Sequence, residues 1–405
     1  MNILYISYDG MTDPLGQSQV IPYLKGLSAK GHTFHLISCE KYTFDSKEFQ
    51  DIHSQLNEAK IEWHPLHYTS TPPVLSTLAD LRRIKKTARL IIKENNIDIV
   101  HCRSYISSIA GLLMKKQFGT KFIFDMRGFG ADERVEGNLW NLKNPVYRLI
   151  YKYFKKKERQ FLLNADYVIT LTEKAKEEIT SWKLSVYPIP IQVIPCCADL
   201  ELFNRDTIDK NIREDWRKKL AIDNTDFVLS YLGSIGTWYM LDEMLDFFKL
   251  LLSKNDQSKF LFITPEPALR ILKDAALKGI PPDRIIIQKA ARDEVPVLLS
   301  LSRVSIFFIK PVFSKKASSP TKMGEVMGMG IPIICNKGIG DVDSILSNNG
   351  FIINEFSHEE YNRIIEKIIL PQQTDSNNIR NAAIKYFSLN DGVEKYDFVY
   401  KQINL

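Results

Sequence analysis

Residues 318–332 read SSPTKMGEVMGMGIP, and this stretch says most about the fold. The hydroxyl side chains on both sides of Pro320 predict the start of a helix, and Gly328 and Gly330 allow close packing or a sharp turn into a following strand. Backbone N–H groups at the start of a helix favour an anion such as a diphosphate. We therefore expect an anion-binding helix here, and the alternative is a capped helix with an ordinary exposed glutamate.

The same stretch offers polar groups to a ligand. Ser318, Ser319 and Thr321 carry hydroxyls, Lys322 carries a positive charge, and Glu325 follows about one turn later. A glutamate in that position can accept hydrogen bonds from the hydroxyls of a sugar or a ribose. These side chains are therefore candidates for binding a ligand that contains a diphosphate and a sugar.

Short β-rich apolar runs alternate with amphipathic runs along the chain, which is typical of a parallel α/β fold. In the first half, strands are predicted at residues 3–8, 32–38, 97–101, 121–125, 167–170 and 192–195. Helices are predicted at residues 18–30, 76–94 and 146–163. The glycine at position 31 predicts the end of the first of these helices.

The alternation then restarts. Strands are predicted at residues 226–233, 259–264, 284–288, 304–309 and 331–335, and a helix at 240–254. Two such series about 200 residues apart predict two Rossmann-like domains rather than one large sheet. The first domain is predicted at 1–199 and the second at 200–388, with a charged, helix-like run near their joint.

Length and composition agree with this division. A chain of 405 residues is too long for one ordinary hydrophobic core, and contents of 44% hydrophobic and 25% charged residues are typical of a soluble globular protein. The N-terminus lacks the pattern of a signal peptide, and no window approaches the ~20 apolar residues of a membrane span. The five cysteines are scattered without a C-x-x-C pair, which argues against disulfides and a zinc site. We expect a cytoplasmic protein.

The net charge of +6 lies entirely in the first 200 residues, which hold 27 lysines and arginines against 21 acidic residues. Residues 82–86 and 151–157 concentrate this charge in helical patterns that also contain apolar residues. Such helices bind anionic lipid headgroups, with each cation contributing about 1 kcal/mol near the surface. We expect either a membrane-binding surface or a solvated basic helix face. Nucleic acid is disfavoured because no nucleic-acid-binding motif accompanies the charge.

A second polar cluster follows the fourth predicted strand. Its loop contains Asp125, Arg127, Asp132, Glu133 and Arg134 beside two glycines. Loops at the carboxyl ends of parallel strands form the ligand crevice of open α/β sheets, and so many charges are unfavourable in a core. The loop is therefore a candidate site, and the alternative is a surface network of salt bridges.

The loop after the first strand contains Gly16, Gln17, Ser18 and Gln19. The glycine would let backbone amides approach a ligand, and the polar side chains could bind sugar hydroxyls. The alternative is a simple helix N-cap at Ser18. A G-x-G-x-x-G fingerprint is missing, which disfavours a nicotinamide cofactor.

The first loop of the second domain contains Gly233, Ser234, Gly236 and Thr237. Two glycines and two hydroxyls suit the binding of a phosphate. The two aromatic residues that follow could stack on a base or a sugar, and a place in the core is the alternative.

The histidines show no spacing typical of a metal site. His32 and His35 fall in a predicted strand, whereas His64 and His67 fall in a predicted loop before two prolines. An isolated histidine is usually structural. We therefore expect no bound metal ion.

Taken together, these features resemble the family 4 retaining glycosyltransferases of the GT-B fold, over nearly the whole chain. Gly31 and His32 before a strand are similar to the family's G-H-x-V sequence. Residues 164–172 are similar to its A-D-x-V-I-x-x-S strand, and residues 193–199 to its V-I-P-N-G-V-D segment. The most specific likeness is that of residues 324–332 to L-E-A-M-A-x-G-x-P.

The resemblance implies two Rossmann-like domains that face each other across a central cleft, with a C-terminal helix at about 389–405 packing back on the first. It also implies a nucleotide-sugar donor in the second domain and an acceptor in the first. The expected reaction is transfer to a hydroxyl with retention, without a metal or another cofactor. The rate would come from stabilising the departing diphosphate and orienting the acceptor hydroxyl.

The resemblance also assigns roles to residues, and Glu325 corresponds to the second glutamate of the family's E-x7-E motif. The catalytic candidates are Asp125, Arg127, Lys322 and Glu325. The donor-binding candidates are Gly233, Ser234, Gly236, Thr237, Lys289, Lys310, Ser318, Ser319, Thr321, Lys322 and Glu325. The acceptor-binding candidates are Gly16, Gln17, Ser18, Gln19, Arg103, Asp132, Glu133 and Arg134.

Several positions depart from the family pattern. The first glutamate of E-x7-E is replaced by Ala317, and the arginine and lysine that usually contact the diphosphate correspond to Ser234 and Met240. The acceptor-side histidine of the family is replaced by the pair Asp125 and Arg127.

We infer that the missing contacts to the diphosphate come from Lys322, the amides of residues 318–321, and Lys310 or Lys289. The leading functional prediction is transfer of a sugar to a glycan or glycolipid in cell-surface polysaccharide biosynthesis, at the inner face of the plasma membrane. The departures keep two alternatives open, a sugar-nucleotide epimerase of the same fold and a non-catalytic protein that binds nucleotide sugars. A phosphorylase is disfavoured because no cofactor-binding lysine is recognisable.

Overall fold

The computed structural model describes residues 1–370 and 375–403. The chain forms two compact units. The first consists of Met1–Pro195 together with the segment that begins at Leu389, and the second is Cys196–Ser388. Each unit is built on a parallel sheet with helices packed against it, as the alternating sequence pattern predicts.

The first unit contains a sheet of seven parallel strands in the order β3-β2-β1-β4-β5-β6-β7. These strands are β1 (Asn2–Ser7), β2 (Thr33–Glu40), β3 (Ile61–His67), β4 (Ile99–Arg103), β5 (Lys121–Asp125), β6 (Tyr167–Thr170) and β7 (Ile191–Val193). The helices between them are α1 (Pro14–Gln19), α2 (Ile21–Ala29), α3 (Lys47–Glu58), α4 (Leu75–Glu94), α5 (Ser104–Phe118), α6 (Gly130–Glu136), α7 (Pro145–Asn164) and α8 (Glu173–Ser181). The central strands β1 and β4 are almost entirely buried because helices cover both sides of the sheet.

The second unit contains a sheet of six parallel strands in the order β10-β9-β8-β11-β12-β13. These strands are β8 (Phe227–Leu232), β9 (Ser258–Ile263), β10 (Ile285–Gln288), β11 (Val304–Phe307), β12 (Ile333–Asn336) and β13 (Gly350–Ile353). The α-helices are α9 (Lys210–Lys219), α10 (Leu241–Lys254), α11 (Ala268–Leu277), α12 (Val295–Leu299), α13 (Thr321–Gly328), α14 (Val342–Leu346), α15 (His358–Ile369) and α16 (Ser376–Phe387). Phenylalanines from β9 and α10 fill the centre of its core.

The last helix, α17 (Leu389–Ile403), belongs to the first unit although it follows the second unit in the chain. It packs against α2, where Val393 lies so close to Gly26 that a Cβ on the glycine would be 2.7 Å from the valine Cγ2. Asp397 on α17 contacts His32, with 2.8 Å between Oδ1 and Nε2. Residues 404 and 405 of the predicted C-terminal helix lie outside the described residues.

The boundary between the units differs slightly from the predicted one. Pro195 ends the first unit, whereas the sequence predicted residue 199. The amide of Cys196 donates to Ser319 Oγ at 3.1 Å, and the amide of Ala198 donates to the Phe387 carbonyl at 2.8 Å. These bonds attach the intervening residues to the second unit.

The helix predicted at residues 18–30 is wrong in its bounds. The structure has two helices there, α1 and α2, which meet at Val20. Pro22 has no amide hydrogen and cannot continue the hydrogen bonds of α1 into α2. Ser18 is therefore not an N-cap but an interior residue of α1, where its hydroxyl donates to the Pro14 carbonyl.

The loop predicted around His64 and His67 is also wrong, because both residues lie in β3. Pro65 interrupts the strand pattern in the sequence. The strand tolerates this proline since β3 is the edge strand of its sheet, where an amide can remain unpaired. The sequence likewise missed β13, the short edge strand of the second sheet.

All five cysteines are buried and free. Among the described residues, no helix combines the length and the apolar content that crossing a membrane requires.

Candidate functional site

The predicted anion-binding helix is α13, which begins at Thr321 directly after Pro320 and has no side-chain cap. Its glycines meet neighbouring segments closely, because a Cβ on Gly328 would lie 2.8 Å from Leu200 Cδ2. Gly330 has a φ of 68°, a left-handed conformation that suits the sharp turn into β12. The two glycines therefore serve packing and turning, as the sequence indicated.

Lys322 on α13 connects this helix to the glycine loop after β8. Its ammonium donates a hydrogen bond to Tyr231 Oη at 3.1 Å and lies 3.6 Å from the centre of the Tyr239 ring. A Cβ on Gly233 would be only 3.2 Å from Lys322 Nζ, so the glycine lets the lysine approach the loop backbone. Burial lowers the pKa of Lys322 far below its usual value, and the charge of Glu325 only partly opposes this effect.

Glu325 lies one turn further along α13 and is also buried. Its Oε1 accepts a hydrogen bond from Arg292 Nη1 at 2.5 Å, and the Arg292 guanidinium packs 4.8 Å above the Phe203 ring. The Arg292 side chain is 42% exposed, so part of the guanidinium faces solvent. Sequence reasoning missed Arg292, although its position in the loop after β10, at the carboxyl end of a strand, could have indicated it.

The loop after β8 has the backbone that its two glycines predicted. Gly233 and Gly236 have φ angles of 100° and 35°. Ser234, Gly236 and Thr237 are exposed. Ser234 contributes its carbonyl oxygen, which accepts a hydrogen bond from the buried Tyr231 hydroxyl at 2.7 Å. The loop therefore presents exposed hydroxyls and amides above the lysine of α13.

The remaining donor candidates lie in different surroundings. Lys289 and Lys310 are exposed, and the Lys310 amide donates to the Trp238 carbonyl of the glycine loop at 3.0 Å. The Ser318 amide already donates to the Lys315 carbonyl, and Ser319 Oγ accepts from Cys196. These two serines therefore have structural partners in addition to any role toward a ligand.

In the first unit, the strand register brings three polar residues side by side at the carboxyl edge of the sheet. Ser7 on β1 pairs with Arg103 on β4, and Arg103 pairs with Asp125 on β5. Arg103 is buried and its Nε lies 3.3 Å from Asp9 Oδ2. Asp9 was not predicted, because it follows the first strand without a recognisable motif.

Asp125 is fully buried and bound by protein groups. Tyr396 of α17 donates to its Oδ2 at 3.1 Å, and His101 Nε2 lies 3.6 Å from the same oxygen. Burial alone raises the pKa of Asp125, but Arg127, His101 and Arg103 together hold it below the usual value. The carboxylate is therefore ionised and positioned by its neighbours.

Arg127 stands beside Asp125, with 3.8 Å between Nη1 and Oδ1. Its φ of 58° is uncommon for a residue with a side chain, and such conformations cluster at functional sites. Tyr5 lies close to the same charges. Burial raises the pKa of Tyr5, and the charges of Arg103 and Arg127 oppose that rise. The structure thus brings the predicted pair together with Arg103.

The other charged residues of the predicted loop lie on helix α6. The carboxylate of Asp132 accepts hydrogen bonds from Tyr151 and Lys155 of α7, both at 2.8 Å. Glu133 and Arg134 follow on the same helix. The contacts of Asp132 therefore fit a network of salt bridges, which is the alternative to a ligand-binding role for this residue.

The acceptor candidates of α1 differ in exposure. Gly16 is buried, and a Cβ there would lie 2.2 Å from the Gly10 carbonyl oxygen, so internal packing requires this glycine. Gln19 is also buried. Gln17 is exposed, and its amide donates to the Thr12 carbonyl at 3.0 Å. Gln17 is thus the residue of α1 best placed to meet a ligand.

Comparison with known families matches both units. Residues 18–202 match the model described as Glycosyltransferase Family 4, and residues 212–386 match the model described as Glycosyl transferases group 1. The chain belongs to the family 4, group 1 glycosyltransferases. This result confirms the resemblance noted in the sequence and shows that the protein is an enzyme that transfers glycosyl groups.

Solved structures of low sequence identity share the GT-B fold of this glycosyltransferase. Sucrose-phosphate synthase from Thermosynechococcus elongatus aligns with a TM-score of 0.77 at 15% identity, over 100% of this chain and 99% of that one. Anabaena Alr3699/HepE, solved with UDP and glucose, aligns at 0.71 and 13% identity over 99% of both chains. WaaG, a glycosyltransferase involved in lipopolysaccharide biosynthesis, aligns at 0.68 and 15% identity over 96% of this chain and 97% of that one. A search of curated proteins gave no match.

Proposed function

We propose that this glycosyltransferase transfers a sugar from a nucleotide-sugar donor to a hydroxyl of a glycan or lipid-linked glycan, in the biosynthesis of a cell-surface polysaccharide. The observation that carries the proposal is the contact of Lys322 with the glycine loop at Gly233. This contact joins the most family-like segment of the sequence to a loop suited to phosphate, at the carboxyl edge of the second sheet. The complexed UDP of HepE supports a nucleotide sugar as the donor.

The diphosphate of the donor needs positive charge in the second unit. Lys322 supplies an ammonium at the glycine loop, and the exposed part of Arg292 supplies a guanidinium next to Glu325. Both cations would stabilise the charge that develops on the leaving diphosphate. They occupy the role of the arginine and lysine that the family usually has at the positions of Ser234 and Met240. Because these two cations supply the positive charge, the proposal includes transfer without a metal ion or another cofactor.

Glu325 is the residue that we assign to the donor's hydroxyls. Its carboxylate is buried, and one oxygen is held by Arg292. The other oxygen can accept a hydrogen bond from the ribose or the sugar of the donor. Retention of configuration rests on the family resemblance alone and is part of the proposal.

On the acceptor side we propose that Arg127 and Gln17 contact the acceptor, whereas Arg103, which is buried like Asp125, supports the site from within. Asp125 is too deeply buried to meet a bulky glycan directly, and we assign it the role of holding Arg127 in place. The family's use of the first domain for the acceptor supports this assignment.

A membrane-bound acceptor would explain the basic surface of the first unit. The two basic runs of the sequence lie on α4 and α7. Burial lowers the pKa of Lys85 on α4, and the charges of Arg89, Lys157 and Arg82 lower it further. Arg83 and Lys155 have acidic partners, Asp80 for the first and Asp132 and Glu158 for the second, and the other cations of the two runs add to an excess of positive charge. This excess favours anionic lipid at the inner face of a membrane. WaaG, with its role in lipopolysaccharide biosynthesis, supports a lipid-linked acceptor.

A panel of nucleotide sugars and free nucleoside diphosphates tests the donor. A ligand at a hundred times its dissociation constant should stabilise the protein by about 2.7 kcal/mol, which is visible as a rise in Tm. With the donor so identified, Glu325→Gln should lower kcat/KM on the order of a hundredfold, because the glutamine can neither pair with Arg292 nor accept as strongly from a sugar hydroxyl. Glu359→Gln, at an exposed position in α15, is the matched control and should behave like the wild type.

The products distinguish the proposed transfer from the alternatives. The panel should show release of the nucleoside diphosphate only when an acceptor glycan is present. Conversion of one nucleotide sugar into its epimer without acceptor would identify an epimerase instead. Binding of a donor without any turnover by the wild type would identify a non-catalytic protein that binds nucleotide sugars. Equal kcat/KM of the wild type and Glu325→Gln would contradict the assignment of Glu325.

A further inference from the structure

The edge of the first sheet carries a polar cluster that the proposed transfer does not use. His35 on β2 stands opposite Glu62 on β3 in the strand register. His64 lies two residues beyond Glu62 and therefore projects from the same face of the sheet. Because β2 and β3 are three and four strand positions from β5, this cluster lies about 14–19 Å across the sheet from the strand of Asp125 at the usual strand spacing.

The side chains of these three residues converge. His35 Nδ1 is 3.4 Å from His64 Nε2, His35 Nδ1 is 3.1 Å from Glu62 Oε2, and His64 Nε2 is 3.2 Å from Glu62 Oε1. Ligand atoms that share one tetrahedral zinc ion at about 2.0–2.1 Å are separated from each other by about 3.3–3.4 Å. The three residues are thus spaced as the ligands of a single ion are.

Hydrogen bonds alone satisfy the polar atoms of this cluster poorly. Each neutral imidazole has one N–H, and the two facing nitrogens are close both to each other and to the carboxylate. If both nitrogens donate to Glu62, two N–H groups face each other. If one of the two nitrogens instead accepts a hydrogen bond from the other, it carries no proton that it could donate to Glu62. A cation between the three side chains would bind all of their lone pairs at once.

We propose that His35, Glu62 and His64 form a binding site for a divalent transition-metal ion, with zinc as the best match to two imidazoles and a carboxylate. Imidazole nitrogen suits zinc and similar ions, whereas magnesium and calcium prefer oxygen alone. The Glu62 side chain is 61% exposed, which gives the ion a path from solvent and leaves room for a water ligand. The ion would fasten the edge strand β3 to β2.

The sequence concealed this site. The sequence predicts His64 in a loop before two prolines, and the expectation of no metal rests on the lack of metal-ligand spacing among the histidines. The register of β2 and β3, which only the folded sheet defines, brings His64 to His35 across 29 positions of the chain.

Zinc and cobalt titrations of the full chain, purified without a histidine tag and stripped of metal, test the proposal. We expect one equivalent of Zn²⁺ to bind, to raise Tm, and to be replaceable by Co²⁺ with the visible spectrum of a low-coordinate nitrogen and oxygen site. His64→Gln and Glu62→Gln should each weaken the binding of Zn²⁺ at least about tenfold, since even changes outside the ligand set have such effects. His67→Gln changes an exposed histidine on the same strand and should bind like the wild type.

Three results of the zinc and cobalt titrations would overturn the site. These are no zinc binding by the wild type, equal affinity in all variants, and a cobalt spectrum with a thiolate charge-transfer band, which would place the ion on cysteine. Glu62 is exposed, so Glu62→Gln should fold normally and remains informative if His64→Gln does not fold. Mg²⁺ at the same concentrations should leave Tm unchanged, and an equal rise with Mg²⁺ would also contradict the proposal.

Discussion

At the residue scale, Lys322 combines an unfavourable environment with a proposed role. It is 8% exposed and surrounded by the rings of Tyr231 and Tyr239. Its burial lowers its pKa, which means that the folded protein holds this proton less tightly than the unfolded chain does. A residue kept in such a place for binding a diphosphate should contribute to activity and weaken the fold.

Lys322→Met tests this relation. We expect kcat/KM with the identified donor to fall on the order of 10²- to 10³-fold, because one charged contact to the leaving group is lost. At neutral pH the free energy of unfolding should rise, since methionine fills the aromatic pocket without a charge. Equal activity of variant and wild type would exclude Lys322 from the donor site, and Lys337→Met at an exposed position is the control.

The same residue predicts a dependence of stability on pH. Between the lowered pKa of folded Lys322 and the ordinary lysine value of about 10.4, the unfolded chain binds more protons than the folded protein. Wild-type stability should therefore gain a favourable contribution as pH rises through this window. Lys322→Met should lack this contribution, so the stabilities of the two proteins, measured by urea unfolding, should converge toward high pH. A constant difference at all pH values would contradict the assignment of the buried charge.

At the scale of elements, helix α7 has an exposed apolar stripe beside its cations. Val146, Leu149 and Tyr153 follow at helical spacing and are all exposed, and Lys152 and Lys156 border them. An apolar stripe bordered by cations is the pattern of a helix that lies in a membrane interface. In the proposed binding to a membrane, this helix would add the insertion of apolar side chains to the electrostatic attraction of the basic surface.

Leu149→Glu is expected to reduce the partition of the enzyme into vesicles with anionic lipid by about tenfold, because it replaces an inserting side chain by a repelled charge. Sedimentation of the protein with vesicles, with and without anionic lipid, provides the measurement. Leu277→Glu alters a leucine of similar exposure, 78% against 70%, in the second unit and should not change the partition. Equal partition of wild type into both kinds of vesicle would contradict the membrane proposal.

At the scale of the whole molecule, the chain leaves the first unit and returns to it with α17. The helix supplies hydrogen bonds to buried polar groups of the first sheet, from Tyr396 to Asp125 and between Tyr400 and His101. Buried charged groups that lose a hydrogen-bond partner weaken the fold by about 1.5–3 kcal/mol each. The stability of the first unit therefore depends on residues at the other end of the sequence.

Removal of residues 389–405 should expose this dependence. Amide hydrogen exchange is expected to accelerate in β1, β4 and β5, whereas β8, β11 and β12 should keep their protection, since the second unit has its own core. Tyr396→Phe removes only the hydrogen bond to Asp125. It should accelerate amide hydrogen exchange in the same strands, but less than the truncation does. If the truncated chain protects both sheets equally well, α17 is dispensable for the first unit.

The sequence by itself determined the two parallel-sheet units, the bounds of β5 and β6, the family, and the segment with Lys322 and Glu325. These features depend on local periodicity and on short motifs, which a linear pattern contains. Only the tertiary structure decided that Glu325 pairs with Arg292, that Asp125 is buried beneath α17, and that His64 meets His35. Each of these contacts joins residues from 29 to more than 270 positions apart, through strand register and helix packing that no local pattern specifies. The stretch at 318–332 thus predicted a donor-binding helix, and the folded sheet identified its partners.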